Sequence, residues 1–489
     1  MPGTPRMDAR RLRERIEDDL GEGRWGLARQ HIAMLWDHDP TMAAAGYLLR
    51  SQDRIREHVA LLPYRVAILR SFTVEPLVPL LRAGAFAGGI DLAVHVGGFN
   101  AYAQEILDPD SGLYRFQPAM AILAVQAADL AAAWERTPAM FREYVEAFRA
   151  NTDAALVVHD LEGPVASGVN EELRRLAGAY PGVYVLPYAD LVARHGAEAW
   201  ADTRNQAAMS MPIANESLIH LARRWLGFIH ASSGRICKAL VTDLDNTLWG
   251  GVIGEDGPQG IVCGPEGPGR RHHSLQEALL ALHAQGILLA ICSKNDEADA
   301  LEVLETHEGL LLRPPHFAAM RINWRDKPSN LRQIAAELNI GIDALAYMDD
   351  DPVELERVRS ELPEVTVIEL PPESDRRADS LRDHPVFARV TLSPEDLARQ
   401  RYYAEQRARL DARGKAPSLE AFYQSLEQEV VIERMTRETA ERAAQLTQKT
   451  NQFNLTTRRY NTAQLLRLAE GGEAQVFTVR VKDCSATTG

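Results

Sequence analysis

The chain has 489 residues, of which 46% are hydrophobic and 25% are charged. This composition is ordinary for a globular protein and excludes a largely disordered or collagen-like chain. The 54 Lys and Arg residues against 68 Asp and Glu residues give a net charge of −14, which disfavours non-specific binding of nucleic acid or anionic membranes. We therefore expect neither a nucleic acid nor a membrane among the partners.

Cysteine usage and the N-terminal segment both predict a cytoplasmic protein. The four cysteines are far apart and form no CxxC pair, so neither a disulfide framework nor a zinc cluster is expected. The first twenty residues are charged throughout and lack the apolar stretch of a signal peptide. The sequence also has no apolar run long enough to span a bilayer.

Four regions follow one another along the chain. Residues 1–60 carry apolar residues at helical spacing and predict a helical N-terminal region. Residues 61–232 alternate short apolar runs with helical stretches, which predicts a mostly parallel sheet covered on both faces. Residues 233–375 repeat that rhythm with acidic residues at two strand ends, and residues 376–489 are mainly helical and charged before a last apolar run. The expected fold class is therefore multidomain α/β.

The strongest chemical signal is the acid pair Asp243 and Asp245, directly after the apolar strand KALVT. Ligands of an open α/β sheet bind beyond the carboxyl ends of its strands. If the chain turns sharply there, one carboxylate can attack as a nucleophile and the other can protonate a leaving oxygen and deprotonate water. An isolated pair of this kind is more typical of a helix N-terminus with solvated acids.

Three further motifs favour catalysis over that alternative. Ser293 follows the strand ILLAIC, where its hydroxyl could hold phosphoryl oxygens, and Lys327 supplies a positive charge for a phosphate. Asp349 and Asp350 end the strand LAYM, and clustered carboxylates beside a phosphate suit Mg²⁺. Asp351 has a simpler explanation as a turn residue before a proline.

The order of these motifs resembles the haloacid dehalogenase (HAD) superfamily of phosphotransferases. The resemblance implies that Asp243 is the nucleophile and that Asp245 is the general acid and base. Thr247 would orient the acid pair, and the residues that it implies for the phosphoryl group are Thr247, Ser293 and Lys327. The Mg²⁺ ligands that it implies are three carboxylates and one backbone carbonyl, namely Asp243, Asp349, Asp350 and the carbonyl of Asp245.

Longer segments resemble the FkbH-like branch of that superfamily, HAD subfamily IIIC. These segments are TDLDNTLWGGVIGEDG, ICSKN, YMDDDPVELERV, NESLIHLARRW and KTNQFNLTTRRY. Such proteins take a three-carbon unit from 1,3-bisphosphoglycerate and remove the remaining phosphate. They deliver a glyceryl thioester to the phosphopantetheine thiol of an acyl carrier protein for polyketide pathways. The resemblance thus implies a Mg²⁺-dependent phosphatase and glyceryltransferase.

The same family suggests identities for the flanking regions. Residues 61–232 resemble the degenerate SGNH-hydrolase-like domain that precedes the HAD domain, here residues 233–375. No Gly-Asp pair precedes Ser71 and no Asp-x-x-His motif occurs near 190–225, so we expect binding rather than hydrolysis there. The segment 97–114 is either a contact loop or a structural one. Relatives continue after TVRVKD, so residues 376–489 are expected to hold helices and the start of a truncated acetyltransferase-like domain.

A cysteine thiolate could carry the glyceryl group before its transfer. Cys292 is the candidate because it immediately precedes Ser293 at a strand end, and the alternative is a buried apolar cysteine with direct attack by the carrier thiol. Cys263 lies in a flexible Gly/Pro-rich insertion and is the second candidate. Cys237 and Cys484 are expected to be incidental.

Two other functions stay open at this stage. The first is a plain phosphatase for a small phosphate ester or a phosphoprotein, and the second is a non-catalytic scaffold in a biosynthetic complex, against which the intact acids and lysine argue. The insertion EDGPQGIVCGPEGPGRR is too short for a lid domain, so the site should admit a carrier arm or a phosphoprotein. Because the chain is acidic, docking of an acidic carrier needs a basic patch, with Arg270, Arg271, Arg458 and Arg459 as candidates.

Overall fold

The computed structural model describes residues 8–163, 166–370, 377–382, 384–389, 427–449, 462–471 and 474–482, together with residues 418, 420, 424 and 460. The chain divides into two compact units with the boundary at residues 400 and 401. Among the described helices, none is both long and apolar enough to cross a lipid bilayer.

The chain begins its described part with three helices, α1 (Ala9–Gly21), α2 (Trp25–His38) and α3 (Met42–Ile55). The Asp8 carboxylate accepts a hydrogen bond from the backbone N–H of Arg11, and the Thr41 hydroxyl accepts one from Ala44. These two caps satisfy amides that helix starts otherwise leave unpaired. Apolar residues of all three helices join the same core as the first sheet. The structure thus has helices in the part of the chain where the sequence shows helical spacing.

The first sheet has five parallel strands in the order β2-β1-β3-β4-β5. They are β1 (Leu62–Arg70), β2 (Ile90–Val96), β3 (Met120–Ala124), β4 (Ala155–His159) and β5 (Val183–Leu186). The helices of this region are α4 (Leu77–Ala87), α5 (Tyr102–Leu107), α6 (Gly112–Phe116), α7 (Ala127–Leu130), α8 (Thr137–Asn151), α9 (Ser167–Ala179), α10 (Tyr188–His195), α11 (Ala197–Trp200), α12 (Thr203–Met209) and α13 (Leu218–Ser233). Strand β3 is buried over its whole length, as expected for a parallel sheet covered on both faces.

The second sheet also has five parallel strands, in the order β10-β9-β6-β7-β8. They are β6 (Ala239–Thr242), β7 (Leu288–Ser293), β8 (Phe317–Ile322), β9 (Leu345–Asp349) and β10 (Thr366–Glu369). The helices are α14 (Ile253–Asp256), α15 (Arg270–Ala284), α16 (Glu297–Thr306), α17 (Lys327–Glu337), α18 (Pro352–Glu361) and α19 (Arg377–Arg382). Strand β6, the first strand of this sheet along the chain, lies between β9 and β7, so the strand order reverses there. Open α/β sheets bind their ligands at such a reversal.

The two sheets belong to one compact unit, and a buried polar contact joins their helices. The imidazole of His31 on α2 lies with Nδ1 2.6 Å from Oδ2 of Asp19 and with Nε2 3.4 Å from Oε1 of Glu356 on α18. His31 and Asp19 are fully buried. The predicted α/β class with two parallel sheets is confirmed, whereas the predicted boundaries at residues 60, 232 and 375 stay predictions.

The second unit contains a two-stranded antiparallel sheet of β11 (Glu429–Arg434) and β12 (Phe477–Lys482). Between them along the chain lie α20 (Arg437–Lys449) and α21 (Thr462–Glu470). Strand β12 is the predicted last apolar run. Much of the region 376–489 that was predicted to be helical and charged, together with the residues Arg458, Arg459 and Cys484, lies outside the described residues. The likenesses to an SGNH hydrolase and to an acetyltransferase stay predictions.

Candidate active site

The residues that were predicted to act on a phosphate lie together at the carboxyl ends of the strands of the second sheet. Asp243 follows β6, Ser293 ends β7, and Asp349 ends β9. The ammonium group of Lys327 lies 2.6 Å from Oδ1 of Asp243 and 3.2 Å from Oδ2 of Asp349. It also donates to the backbone oxygen of Cys292 at 2.9 Å. These side chains are buried, so the cluster is an ion network shielded from bulk water.

The start of α17 places Lys327 at this edge. The Asp326 carboxylate accepts the backbone N–H of Ser329 at 2.9 Å, and Pro328 occupies the first turn. A proline is tolerated there because the first-turn N–H groups have no partner within the helix. Burial alone would lower the pKa of Lys327, but the Asp243 and Asp349 carboxylates outweigh it and raise that pKa. The lysine is therefore a permanent cation at the strand ends.

A tight turn after β6 returns Asp245 to the sheet edge. Asn246 has a φ of 52°, in the left-handed region that Asn adopts more readily than most residues. Its backbone N–H donates to the carbonyl of Gly251 at 3.2 Å, and its side-chain oxygen accepts the N–H of Gly251 at 3.2 Å. Asp243 and Asp245 can serve one site only if the chain turns sharply after the strand, and this turn provides that reversal.

The Asp245 carboxylate accepts hydrogen bonds on both oxygens. Oδ1 accepts from Nε1 of Trp249 at 3.0 Å and from the backbone N–H of Ile253 at 3.4 Å. Oδ2 accepts from Nδ2 of Asn295 at 3.1 Å, and the same nitrogen lies 3.1 Å from Oγ of Ser293. Trp249 and Asn295 were not among the site residues predicted from the sequence. The available signals were an indole four residues after the acid and an amide two residues after the serine.

Three carboxylates at this edge form a group that could hold a metal ion. Asp243, Asp349 and Asp350 each offer an oxygen within 4.8 Å of the others. The Thr247 hydroxyl donates to Oδ1 of Asp350 at 3.2 Å, so it orients an acid of the second pair. Clustered hard oxygen ligands of this kind fit a divalent cation such as Mg²⁺.

The electrostatics of the acids support the same fit. Burial raises the pKa of Asp243 to about 7, with Lys327 opposing the rise and Asp349 adding to it. Burial and the neighbouring Asp349 also raise the pKa of Asp350 to about 6. A bound divalent cation would relieve this crowding of negative charge, because it stabilises the ionised carboxylates.

The structure places the predicted acyl carrier, Cys292, in the core. Its side chain is fully buried, and its Sγ lies 3.9 Å from the carbonyl oxygen of Lys327. Burial raises the pKa of Cys292 to about 12, so the thiol is neutral near pH 7. Burial also raises the pKa of the partly exposed Cys263 to about 11, and Cys237 is buried. These environments favour the packing alternative, and a relay through Cys292 stays a prediction.

The remaining predicted surface residues are only partly described. Arg270 is exposed, whereas Nε of Arg271 donates to Nε2 of His272 at 2.9 Å.

In the first α/β region, Ser71 is buried and its hydroxyl accepts the backbone N–H of Gln126 at 2.9 Å. Ser71 thus has a structural bond, in line with the expectation that it is not a nucleophile.

No protein-family model and no curated protein matches the chain. A similar solved structure is the N-terminal part of the protein BF1531 from Bacteroides fragilis, which contains a phosphatase domain and is complexed with Mg. The likeness has a TM-score of 0.63 and 25% sequence identity, and it covers 72% of this chain and 99% of that one. The fold and the acidic cluster together fit a HAD-type phosphatase, and both findings agree with the predicted cofactor, Mg²⁺.

Proposed function

We propose that the chain is a Mg²⁺-dependent HAD-type phosphatase of the FkbH-like branch that helps to build a glyceryl thioester on an acyl carrier protein. The observation that carries the phosphatase part is the buried contact of Lys327 with Asp243 and Asp349, beside the oriented carboxylate of Asp245. The magnesium-bound phosphatase domain of the similar structure supports this part. The glyceryl part is supported by the FkbH-like motifs.

The residues of the site can divide phosphate hydrolysis into two balanced steps. A carboxylate oxygen of Asp243 bonds to phosphorus while the bond from phosphorus to the leaving oxygen breaks, and Asp245 gives that oxygen its proton. Asp245 then takes a proton from a water that attacks the same phosphorus, which releases phosphate and restores Asp243. Lys327 and the Ser293 hydroxyl bind phosphoryl oxygens. When bound at the three acids, Mg²⁺ supplies further neutralisation of the phosphoryl charge.

The glyceryl route needs one further reaction. The phosphopantetheine thiol of the carrier attacks the acyl carbon of 1,3-bisphosphoglycerate, a C–S bond forms, and the acyl phosphate leaves as inorganic phosphate. The phosphatase site then hydrolyses the remaining phosphate ester of the phosphoglyceryl thioester. Full burial of Cys292 supports direct attack by the carrier thiol, because a neutral thiol in the core is a poor nucleophile.

Removal of divalent cations should abolish phosphate release, and added Mg²⁺ should restore it. A carboxylate attacks a multiply charged phosphate poorly unless the phosphate is neutralised, and Lys327 supplies only one positive charge. The measurement is phosphate release from para-nitrophenyl phosphate after treatment with EDTA and after dialysis into MgCl₂. Calcium at the same ionic strength controls for a general salt effect. Full turnover in excess EDTA would contradict the metal-dependent mechanism.

The glyceryl part is tested by intact-protein mass spectrometry of a phosphopantetheinylated carrier incubated with the enzyme, 1,3-bisphosphoglycerate and MgCl₂. We expect the carrier to gain a glyceryl group that hydroxylamine removes, because a thioester is sensitive to that nucleophile. Release of phosphate without any carrier adduct would leave the plain phosphatase as the function. Absence of both reactions would favour the scaffold.

The variant Cys292→Ala should retain both carrier acylation and phosphatase activity within a few-fold of wild type. The reason is that direct attack by the carrier thiol needs no cysteine of the enzyme. A relay through Cys292 would instead lose acylation and keep phosphatase activity. The same mass measurement and a parallel phosphate assay separate these outcomes, with the buried Cys237→Ala as the matched control.

A further inference from the structure

We propose that Trp249 is a positioning residue for Asp245, and that Oδ2 of Asp245 is the oxygen that exchanges the proton with the leaving group and with water. The proposal rests on the proposed phosphatase function and deepens it. It assigns the two oxygens of the general acid to different tasks, one for orientation and one for proton transfer.

The indole of Trp249 is buried against the site and has one hydrogen to donate. Its side chain is fully buried, and its Nε1 lies 3.0 Å from Oδ1 of Asp245. An indole N–H is a donor only and finds a partner when it is buried. The backbone N–H of Ile253 donates to the same oxygen at 3.4 Å. Because Oδ1 already accepts these two hydrogen bonds, we assign it to holding the carboxylate in place and not to proton transfer.

The backbone on the N-terminal side of the indole is itself fixed by helix α15. Nδ1 of His272 lies 2.9 Å from the carbonyl oxygen of Thr247, and Nε2 of Gln276 donates to the carbonyl of Leu248 at 2.8 Å. His272 and Gln276 are both fully buried. The backbone that precedes the indole is therefore held in place by α15. Little conformational entropy is lost when the indole binds Asp245, so Asp245 can be held in one orientation.

The other oxygen of Asp245 lies on the phosphate side. Oδ2 accepts from Nδ2 of Asn295 at 3.1 Å, and that nitrogen lies 3.1 Å from Oγ of Ser293, the proposed phosphoryl ligand. Asn295 is buried between the acid and the serine. Proton transfer needs the correct oxygen at hydrogen-bond distance from the leaving group. Without the indole, the carboxylate could rotate and lose that alignment.

The variant Trp249→Phe tests the proposal because it removes the N–H and keeps an aromatic ring. We would compare kcat/KM for para-nitrophenyl phosphate, whose leaving group needs little protonation, with kcat/KM for glycerol phosphate, whose alkoxide must be protonated. The parameter kcat/KM reports the first step, whereas kcat also contains the attack of water on the phosphorylated Asp243, which is the same for both esters. The expected loss of kcat/KM is about 10-fold or more greater for glycerol phosphate. A merely structural role would lower both rates by the same factor.

Trp225→Phe is the matched control. Trp225 on α13 is also fully buried, and its indole donates to Nε2 of His159, the last residue of β4, at 2.8 Å. It should change the melting temperature without changing the ratio of the two rates. An unchanged ratio in folded Trp249→Phe would overturn the proposal.

A second variant keeps the proposal falsifiable if Trp249→Phe does not fold. Asn295→Ala removes the partner of Oδ2 and should also lower the rate on glycerol phosphate more than the rate on para-nitrophenyl phosphate. Equal losses on the two esters would overturn the assignment of Oδ2. A wild-type protein that hydrolyses neither ester with Mg²⁺ would overturn the proposed function itself, and the present proposal with it.

Discussion

Replacing Asp243 with Asn should lower phosphate release on the order of 10³-fold or more. The amide cannot form the bond to phosphorus that the carboxylate forms, so the first step has no nucleophile. The substitution preserves the shape of the side chain, and the fold should survive. The measurement is phosphate release from para-nitrophenyl phosphate at saturating Mg²⁺, together with a thermal melt of the same sample.

Asp299→Asn provides the matched control for that prediction. Asp299 is an exposed acid in the first turn of α16, so the same chemical change there leaves the site intact. Its turnover should stay within about two-fold of wild type, as is usual for exposed positions away from structural contacts. Turnover near wild type in Asp243→Asn itself would show that the nucleophile lies elsewhere.

Replacing Lys327 with Met should affect both stability and turnover. The lysine compensates the buried carboxylates of Asp243 and Asp349. Removing one partner of a buried ion pair costs roughly 3–5 kcal/mol of the free energy of unfolding, because the remaining charge stays desolvated. Urea unfolding of the metal-free protein measures this loss, and phosphate release measures the loss of the phosphoryl ligand.

The pH dependence of that loss has a definite sign. Lys327 stabilises the ionised form of Asp243, whose pKa burial raises to about 7. The contribution of the lysine is therefore present above that pKa and declines as the pH falls through it. The destabilisation in Lys327→Met should be larger at pH 8 than at pH 5.

The control for Lys327→Met is Lys294→Met. Lys294 pairs with Glu354 and is about one-third exposed, so its loss should cost at most about 1 kcal/mol. If the two variants unfold at the same urea concentration, the buried network does not stabilise the fold as we argue.

The positions of the catalytic acids could be predicted because apolar runs followed by polar motifs mark strand ends. Asp243, Ser293 and Asp349 were expected at one edge since parallel strands share their carboxyl ends. The sequence alone does not order the strands, however. The central place of β6 between β9 and β7 depends on packing across the whole sheet, which no local pattern encodes.

The side chains that orient the acids were harder to predict. Trp249 lies in an apolar run, so the sequence predicts a core residue. The structure does place it in the core of the second sheet, where it also contacts the site. Its bond to Asp245 depends on the left-handed turn at Asn246, a non-local consequence of how the loop closes. Cys292 is the reverse case, because it was predicted to act in the site and its side chain is buried in the core. Successive strand residues point to opposite faces, so the neighbour of a phosphate-binding serine is expected to turn away from the phosphate.

The buried contact among Asp19, His31 and Glu356 has a consequence for any attempt to isolate the catalytic half. Helix α18 begins directly after Asp351, next to the acids of β9, and Glu356 on its surface meets His31 of the N-terminal helices. A gene fragment that starts at residue 233 would encode every proposed catalytic residue but would strip this covering from α18. The N-terminal helices thus cover part of the helix that directly follows the proposed metal-binding acids, and a fragment without them would expose that surface to water.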